Sequence, residues 1–279
     1  MAQKLSTTHG ISPAAATLTG VAIWIDEPSW PAHGRLWSHL ISDTSLAELH
    51  DFAHRAGIPD RSFEGDHYDV PAERHTDVVR AGATPTGGSD LARRLRDSGL
   101  RFRKRRGERP LGRYADALVA VGGPHQLDLI ASPLEPPERS GASVVLVTDG
   151  SHLVLVRNLS RPGWAPPGGK RDAGEALRVS AVREVAEETG LLVDPADLLP
   201  VGYERITIAP GDQVPPWDAG DNHIAVFATR VAQRAPVAPT AADDDVMEAQ
   251  WVTLAEVANR CGAQPWWPLV EHFLRSVQR

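Results

Sequence analysis

The stretch GGKRDAGEALRVSAVREVAEETGLL, Gly168 to Leu192, crowds four glutamates and one aspartate into a segment that otherwise reads as an amphipathic helix. Asp172 and Glu175 stand three apart, the spacing of a capping box, and Gly190 sits where a helix C-terminal glycine belongs. The pattern therefore predicts a helix of about four turns between them. Leu177, Ala181, Val182 and Val185 supply its apolar side. Glu184, Glu187 and Glu188 are three or four residues apart, which places their carboxylates together on the final turns. Like charges at that spacing cost a few tenths of a kcal/mol per pair, and the negative end of the helix dipole adds to the cost. A solvated acidic face is the ordinary explanation for such charge when it stands alone. The alternative is a hard divalent cation, Mg²⁺ above all, which takes oxygen ligands and shares them with water and phosphate.

The glutamates do not stand alone. Gly169, five residues, Glu175, seven residues, Arg183-Glu184-Val185, one residue, Glu187-Glu188, one residue, Gly190-Leu191 is a nine-point pattern. Chance agreement at average residue usage is well below about one in a million. In this pattern the chain resembles the Nudix hydrolases. The hairpin before it, Trp164 ahead of PPGG, the run NHIAVFATRV and the segment EAQWVTLAEV follow the family's order of elements. The resemblance implies an α/β fold, a Nudix-type α/β/α sandwich. It implies that Glu184, Glu187 and Glu188 bind Mg²⁺ or Mn²⁺ with the Gly169 carbonyl, that Arg183 orients carboxylates, and that Glu175 supports them. Glu187, Glu188, Arg183 and Glu175 are then the catalytic set. The implied reaction is hydrolysis of a pyrophosphate bond in a nucleoside diphosphate linked to another group, with charge neutralisation and water activation by the metal. Candidates for the general base are a box glutamate or an acid of the later run DDDVMEAQW, where Glu248 and Asp245 are singled out beside Asp243 and Asp244. A solvated loop is the plain alternative for that run.

Working outward, 279 residues with 42% hydrophobic content favour two domains. Residues 1–20 read as a flexible tail. A small α/β domain is expected over 21–98: VAIWID as a buried strand, then helices over SLAELHDFAHRAG and SDLARRLRDSG. Residues 99–140 read as a basic and proline-rich linker region, with Leu111 to Ser132 ambiguous, and 141–279 as the Nudix domain. Its opening run SVVLVTDGSHLVLVRN is two β runs about an Asp-Gly turn. The single cysteine, Cys261, and the lack of a long apolar run point to a cytoplasmic protein with no membrane partner. A homodimer is compatible with the sequence. Trp164, Tyr203 and Trp217 offer faces for a base, although core packing is the commoner fate of aromatics.

The first domain carries its own cluster. Seven of the eleven histidines precede residue 80, and Asp26, His39, His67 and Asp69 come from separate segments that would converge at strand ends, a common ligand position. Surface histidines and capping aspartates are the competing explanation. The segments IWIDEPSW, WSHLISDT and GDHYDV resemble a small bacterial domain family of unknown function, which transfers no activity. Arg93 to Arg109 holds nine basic and two acidic residues, a local +7 in a chain of net −7, leaving −14 elsewhere. This balance favours pairing with the protein's own acids or a small anion over sequence-specific nucleic-acid binding. A nucleotide-type small molecule is the expected substrate. The rival function is a Nudix-fold nucleotide-binding regulator that contacts a partner through its first domain or basic block.

Overall fold

In the computed structural model, which describes residues 23–159, 163–240 and 246–277, the IWID part of VAIWID gives the expected strand. This is β1 (Ile23–Asp26), followed by β2 (Trp30–Ala32), β3 (Arg35–Ser42) and α1 (Leu46–Arg55). The hydroxyl of Ser45 caps α1 by accepting from Glu48 N at 3.1 Å. β4 (Tyr68–Pro71), α2 (Ala72–Arg80), β5 (Thr84–Thr86) and α3 (Gly88–Asp97) complete the first unit. β3 is its centre: it pairs with β1, β2 and β4, while β1 also pairs in parallel with β5. Helices α1 and α2 bury Leu49, Phe52 and Val78 against Ile23, Ile25, Leu40 and Val70 of one sheet face. On the other, Leu91 and Leu95 of α3 meet Ile41. The alternation of β strands thus selects which helix each face receives.

Contacts divide the chain into Met1–Arg101 and Phe102–Arg279. The second unit contains β6 (Arg109–Ala115), β7 (Gln126–Ala131), β8 (Ala142–Thr148), β9 (His152–Asn158), β10 (Gly168–Lys170), α4 (Leu177–Thr189), β11 (Leu199–Ile208), β12 (Gly220–Arg230), β13 (Val246–Thr253), α5 (Leu254–Cys261) and α6 (Trp267–Val277). Its mixed sheet runs β13-β9-β8-β12-β11-β7-β6, with β10 added to β8. Only β8 and β12 pair in parallel within that path, from Ala142 opposite Ile224 to Thr148 opposite Arg230. One face packs Val145, Val147, Ala225 and Phe227 on Ala181 and Val185 of α4. The other packs Leu129, Leu146, Leu155 and Val226 on Val257 of α5 and Leu269 and Val270 of α6. This is the α/β/α sandwich, preceded by a small α/β unit.

Two expectations change. The stretch 99–140 is not a linker throughout, because β6 and β7 lie within it and β7 pairs with β11 from Gln126 to Ala131. Their signal was masked by Pro110 and Gly112, which flank an irregularity in β6, and by Asp128 in the middle of β7. Asp128 is fully buried and tolerated there because Arg113 Nε donates to it at 2.7 Å and Arg205 Nε at 3.2 Å. The box helix has about the expected four turns but starts later than the capping pair suggests. It begins at Leu177 with no side-chain cap, while Asp172 and Glu175 close a tight turn in which Asp172 N donates to Glu175 Oε2 at 3.2 Å. The helix does end at Gly190, whose φ of 73° is the left-handed conformation that glycine adopts without strain. Residues 1–20 lie outside the described part of the chain.

Candidate active site

The end of α4 gathers the carboxylates that the spacing placed on one side. Glu184 and Glu188 are buried at 8% and 2% exposure, close to the strand β10. Glu188 is held from both ends: Gly168 N donates to its Oε2 at 2.7 Å and Asn158 Nδ2 to its Oε1 at 3.1 Å. A Cβ on Gly169 would run into the Glu184 carboxylate, so a larger residue there would displace that side chain. The loop after β12 completes the helix end. Thr240 N donates to Glu187 O at 2.8 Å and Ala238 N to Thr189 O at 3.1 Å, satisfying carbonyls that the helix leaves open.

Arg183 is the internal answer to the like charge. Its Nε donates to Glu175 Oε1 at 3.0 Å, and its Nη1 donates to Glu184 Oε1 at 2.8 Å and Glu187 Oε2 at 2.9 Å. Nη2 also donates to Lys170 O at 3.0 Å, tying the helix to β10. The Arg183 guanidinium holds the Glu175 carboxyl below its ordinary value, and the same bonds raise the pKa of Arg183. Glu175, Glu184 and Glu187 thus gather on one guanidinium, and Glu188 is held beside them in the same partly buried space. Residues Glu184, Glu187, Glu188 and the Gly169 backbone therefore form a donor set of the hard-oxygen kind that a divalent ion of the Mg²⁺ or Mn²⁺ type requires.

Beside the box lies a cleft of about 850 Å³, partly open to solvent, between β8, β10 and β12 and the helix α6. Gly168 and Gly169 form one end; Trp217, Trp266 and Leu269 supply apolar walls. Into this cleft comes Glu204 of β11, whose Oε2 is buried with no hydrogen-bond partner and whose pKa burial pushes up to about 7. Sequence reasoning missed Glu204, since a glutamate within an apolar strand run gives no spacing signal. It also missed Asn158, Thr240 and Trp266.

The remaining expected residues separate. Glu248 lies on β13 and pairs with Arg157 at 3.2 Å, next in sequence to Asn158, which donates to Glu188. Asp243, Asp244 and Asp245 lie outside the described residues. Tyr203 is buried and donates to Glu108 Oε2 at 3.1 Å. Trp164 lies under Arg260, 4.7 Å from the ring centroid, whereas Trp217 lines the cleft. Among the basic residues, Arg103 pairs with Asp221 at 2.8 Å and Arg105 with Glu108 at 2.7 Å, both within the second unit. In the first unit, Asp26, His39, His67 and Asp69 do come together, as detailed below. No helix among the described residues is long and apolar enough to cross a membrane.

Comparison with known proteins accords with this geometry. Residues 137–274 match the NUDIX domain, and residues 23–98 match a family described as protein of unknown function (DUF4031). The chain is 29% identical over 148 residues to the NAD-capped RNA hydrolase ndx-9 of Caenorhabditis elegans, covering 50% of this chain and 35% of that one. It is 43% identical over 49 residues to the Nudix hydrolase YvcI of Bacillus subtilis (strain 168), which is described as uncharacterized, covering 18% and 30%. The chain thus spans about a third of the length of the curated relatives it matches. Among solved structures, the NUDIX domain of Shewanella oneidensis NrtR, complexed with ADP ribose, aligns with a TM-score of 0.39 at 19% identity, covering 50% of this chain and 90% of that one. The Escherichia coli dihydroneopterin triphosphate pyrophosphohydrolase aligns with a TM-score of 0.38 at 17% identity, covering 50% and 97%. Residues 137–274, just under half of the chain, thus carry the match to the NUDIX domain.

Proposed function

We propose that the second unit is a divalent-metal-dependent hydrolase that cleaves a pyrophosphate bond in a nucleoside diphosphate linked to another group. The observation that carries this reading is the convergence of Glu184 and Glu187 on Arg183 and of Glu188 on the N–H of Gly168, beside Gly169, where Gly168 and Gly169 line the apolar cleft. An Mg²⁺ or Mn²⁺ ion held by these carboxylates would neutralise diphosphate charge and lower the barrier to attack by water. The protein's own groups then divide the work. Arg183 keeps Glu184 and Glu187 in place through one Nη1 atom, and the backbone N–H of Gly168 fixes Glu188. For the group that accepts a proton from the attacking water, the candidates are Glu187 of the box, 32% exposed and bonded by Arg183, and Glu248, 36% exposed and bonded by Arg157.

The cleft suits a flat, weakly polar group such as a nucleobase, with Trp217 and Trp266 as apolar faces and Glu204 as a hydrogen-bonding group when protonated. The relative from Caenorhabditis elegans acts, by its name, on NAD-capped RNA, which also contains a nucleoside diphosphate joined to a second group. Purified protein with Mg²⁺ or Mn²⁺ should be offered nucleoside triphosphates, ADP-ribose, dinucleotides and nucleotide sugars, with products separated by chromatography. Metal-dependent release of a nucleoside monophosphate is expected. Binding of such a ligand without any turnover would instead establish a nucleotide-binding regulator.

A further inference from the structure

The first unit contains a second convergence of side chains that the hydrolase reading does not use. Its origin is strand register. His39 of β3 lies directly opposite Asp69 of β4, and Asp26 falls one step beyond the Ile25–Leu40 pair of β1 and β3. One row across three strands therefore carries Asp26, His39 and Asp69 on one face, and His67, two residues before Asp69, joins them by the period-two rule.

The rings are held from behind. His39 Nδ1 lies 3.1 Å from Asp26 Oδ2, and His67 Nδ1 lies 2.5 Å from Asp66 Oδ1. Both carboxylates are almost fully buried, at 2% and 3% exposure. Asp26 is fixed further by His39 N, which donates to its Oδ1 at 2.5 Å, and by Trp30 Nε1 at 3.2 Å. With each Nδ1 engaged, each Nε2 turns toward Asp69: His67 Nε2 is 3.4 Å and His39 Nε2 is 4.0 Å from its Oδ1. One ligand atom from each of His39, His67 and Asp69 lies within 4.8 Å of the others. Ligands about 2.1 Å from a shared tetrahedral ion would stand about 3.4 Å apart, so the three need only a small contraction.

We propose that the first unit binds one first-row divalent transition ion, Zn²⁺ foremost, through His39 Nε2, His67 Nε2 and Asp69, with Asp26 and Asp66 as the carboxylates that orient the histidines. A surface cluster of histidines would not place two buried acids behind the rings; carboxylate–histidine–metal relays do. Imidazole nitrogen selects against Mg²⁺ and Ca²⁺ and favours zinc-like ions. Three protein ligands leave a coordination position open, as in sites that act on a ligand. His39 and Asp69 border a cleft of about 960 Å³ lined also by Trp30, Trp37 and Arg61, and that position would face it.

The test uses the full chain carrying Glu187→Gln and Glu188→Gln, which weakens the other acidic site. Zn²⁺ is titrated in competition with a chromophoric chelator, followed by Co²⁺ substitution and X-ray absorption. One tight equivalent is expected, with two imidazoles in its first shell and a visible Co²⁺ spectrum. Adding His39→Ala with His67→Ala should abolish it, while Asp26→Asn should weaken it by about 10–100-fold. Tight binding that survives the double histidine change in a folded chain would overturn the proposal. So would a first shell of oxygen alone, a readout that stands even where the histidine variants fail to fold. Absence of any zinc binding tighter than about 10 μM would overturn it too.

Discussion

At the scale of the residue, Arg183 changes what the acidic cluster is expected to do. Repulsion among Glu184, Glu187 and Glu188 is real, yet the fold already answers part of it with one guanidinium and with the N–H of Gly168. Glu187→Gln and Glu188→Gln should each lower turnover at least about a hundredfold, measured at saturating Mg²⁺, because metal charge is lost. Their stabilities should differ. Without metal, Glu187→Gln is expected to be near neutral in thermal unfolding, since only Arg183 bonds that side chain, whereas Glu188→Gln gives up a buried charge-assisted acceptor and should cost about 1–2 kcal/mol. Equal melting temperatures for the two variants would contradict the bonding described. Glu204 provides a pH prediction. Burial raises its pKa from 4.5 to about 7, so the folded state keeps a proton that the unfolded state has released. Its contribution to stability is therefore intact below about pH 4.5 and falls as pH rises toward 7. Glu204→Gln, which mimics the protonated group, should raise stability at pH 8 by up to about 3 kcal/mol relative to wild type and by little at pH 4.5; chemical denaturation at the two pH values checks this.

At the scale of the element, some structures were written plainly in the sequence and others were hidden by one residue. The box helix and the Asp-Gly hairpin follow from residue spacing, a terminal glycine and turn chemistry. β6 and β7 do not, because Asp128 interrupts an apolar run and only the fold reveals Arg113 and Arg205 beside it. The box carboxylates were legible because their spacing is local, and His39 with Asp69 only as scattered candidates because strand register sets their meeting. Glu204, with neither neighbours nor spacing, was illegible. Asp128→Ala would leave two nearly buried guanidinium groups without their acid and should cost about 3–5 kcal/mol, read from the shift of the denaturation midpoint. A fragment beginning at Gly141 removes β6 and β7 and uncovers the edge of β11. It should be less soluble and melt lower than a fragment beginning at Phe102, by circular dichroism and sedimentation. Equal behaviour would show that these strands are dispensable.

At the scale of the whole molecule, the net charge of −7 conceals a basic segment whose arginines are partly spent. Arg94, Arg101 and Arg103 answer Asp43, Asp66 and Asp221, acids outside the segment, so fewer cations are available to phosphates than its +7 suggests. Labelled DNA and RNA titrated at about 150 mM salt should bind weakly and with a steep salt dependence. Tight binding that depends on sequence and is lost when Arg103, Lys104, Arg105 and Arg106 become alanine would overturn this. The parallel pairing of β8 with β12 bears on how the molecule is made. The chain between those strands contains the entire box from Gly168 to Leu192, yet their ladder extends to Arg230. Synthesis runs from the N-terminus, so the emerging polypeptide carries its glutamates for some time before the strand that closes the sheet over them exists. Assembly of the acidic centre against its sheet is thus a late, long-range event, complete only after most of the second unit has left the ribosome.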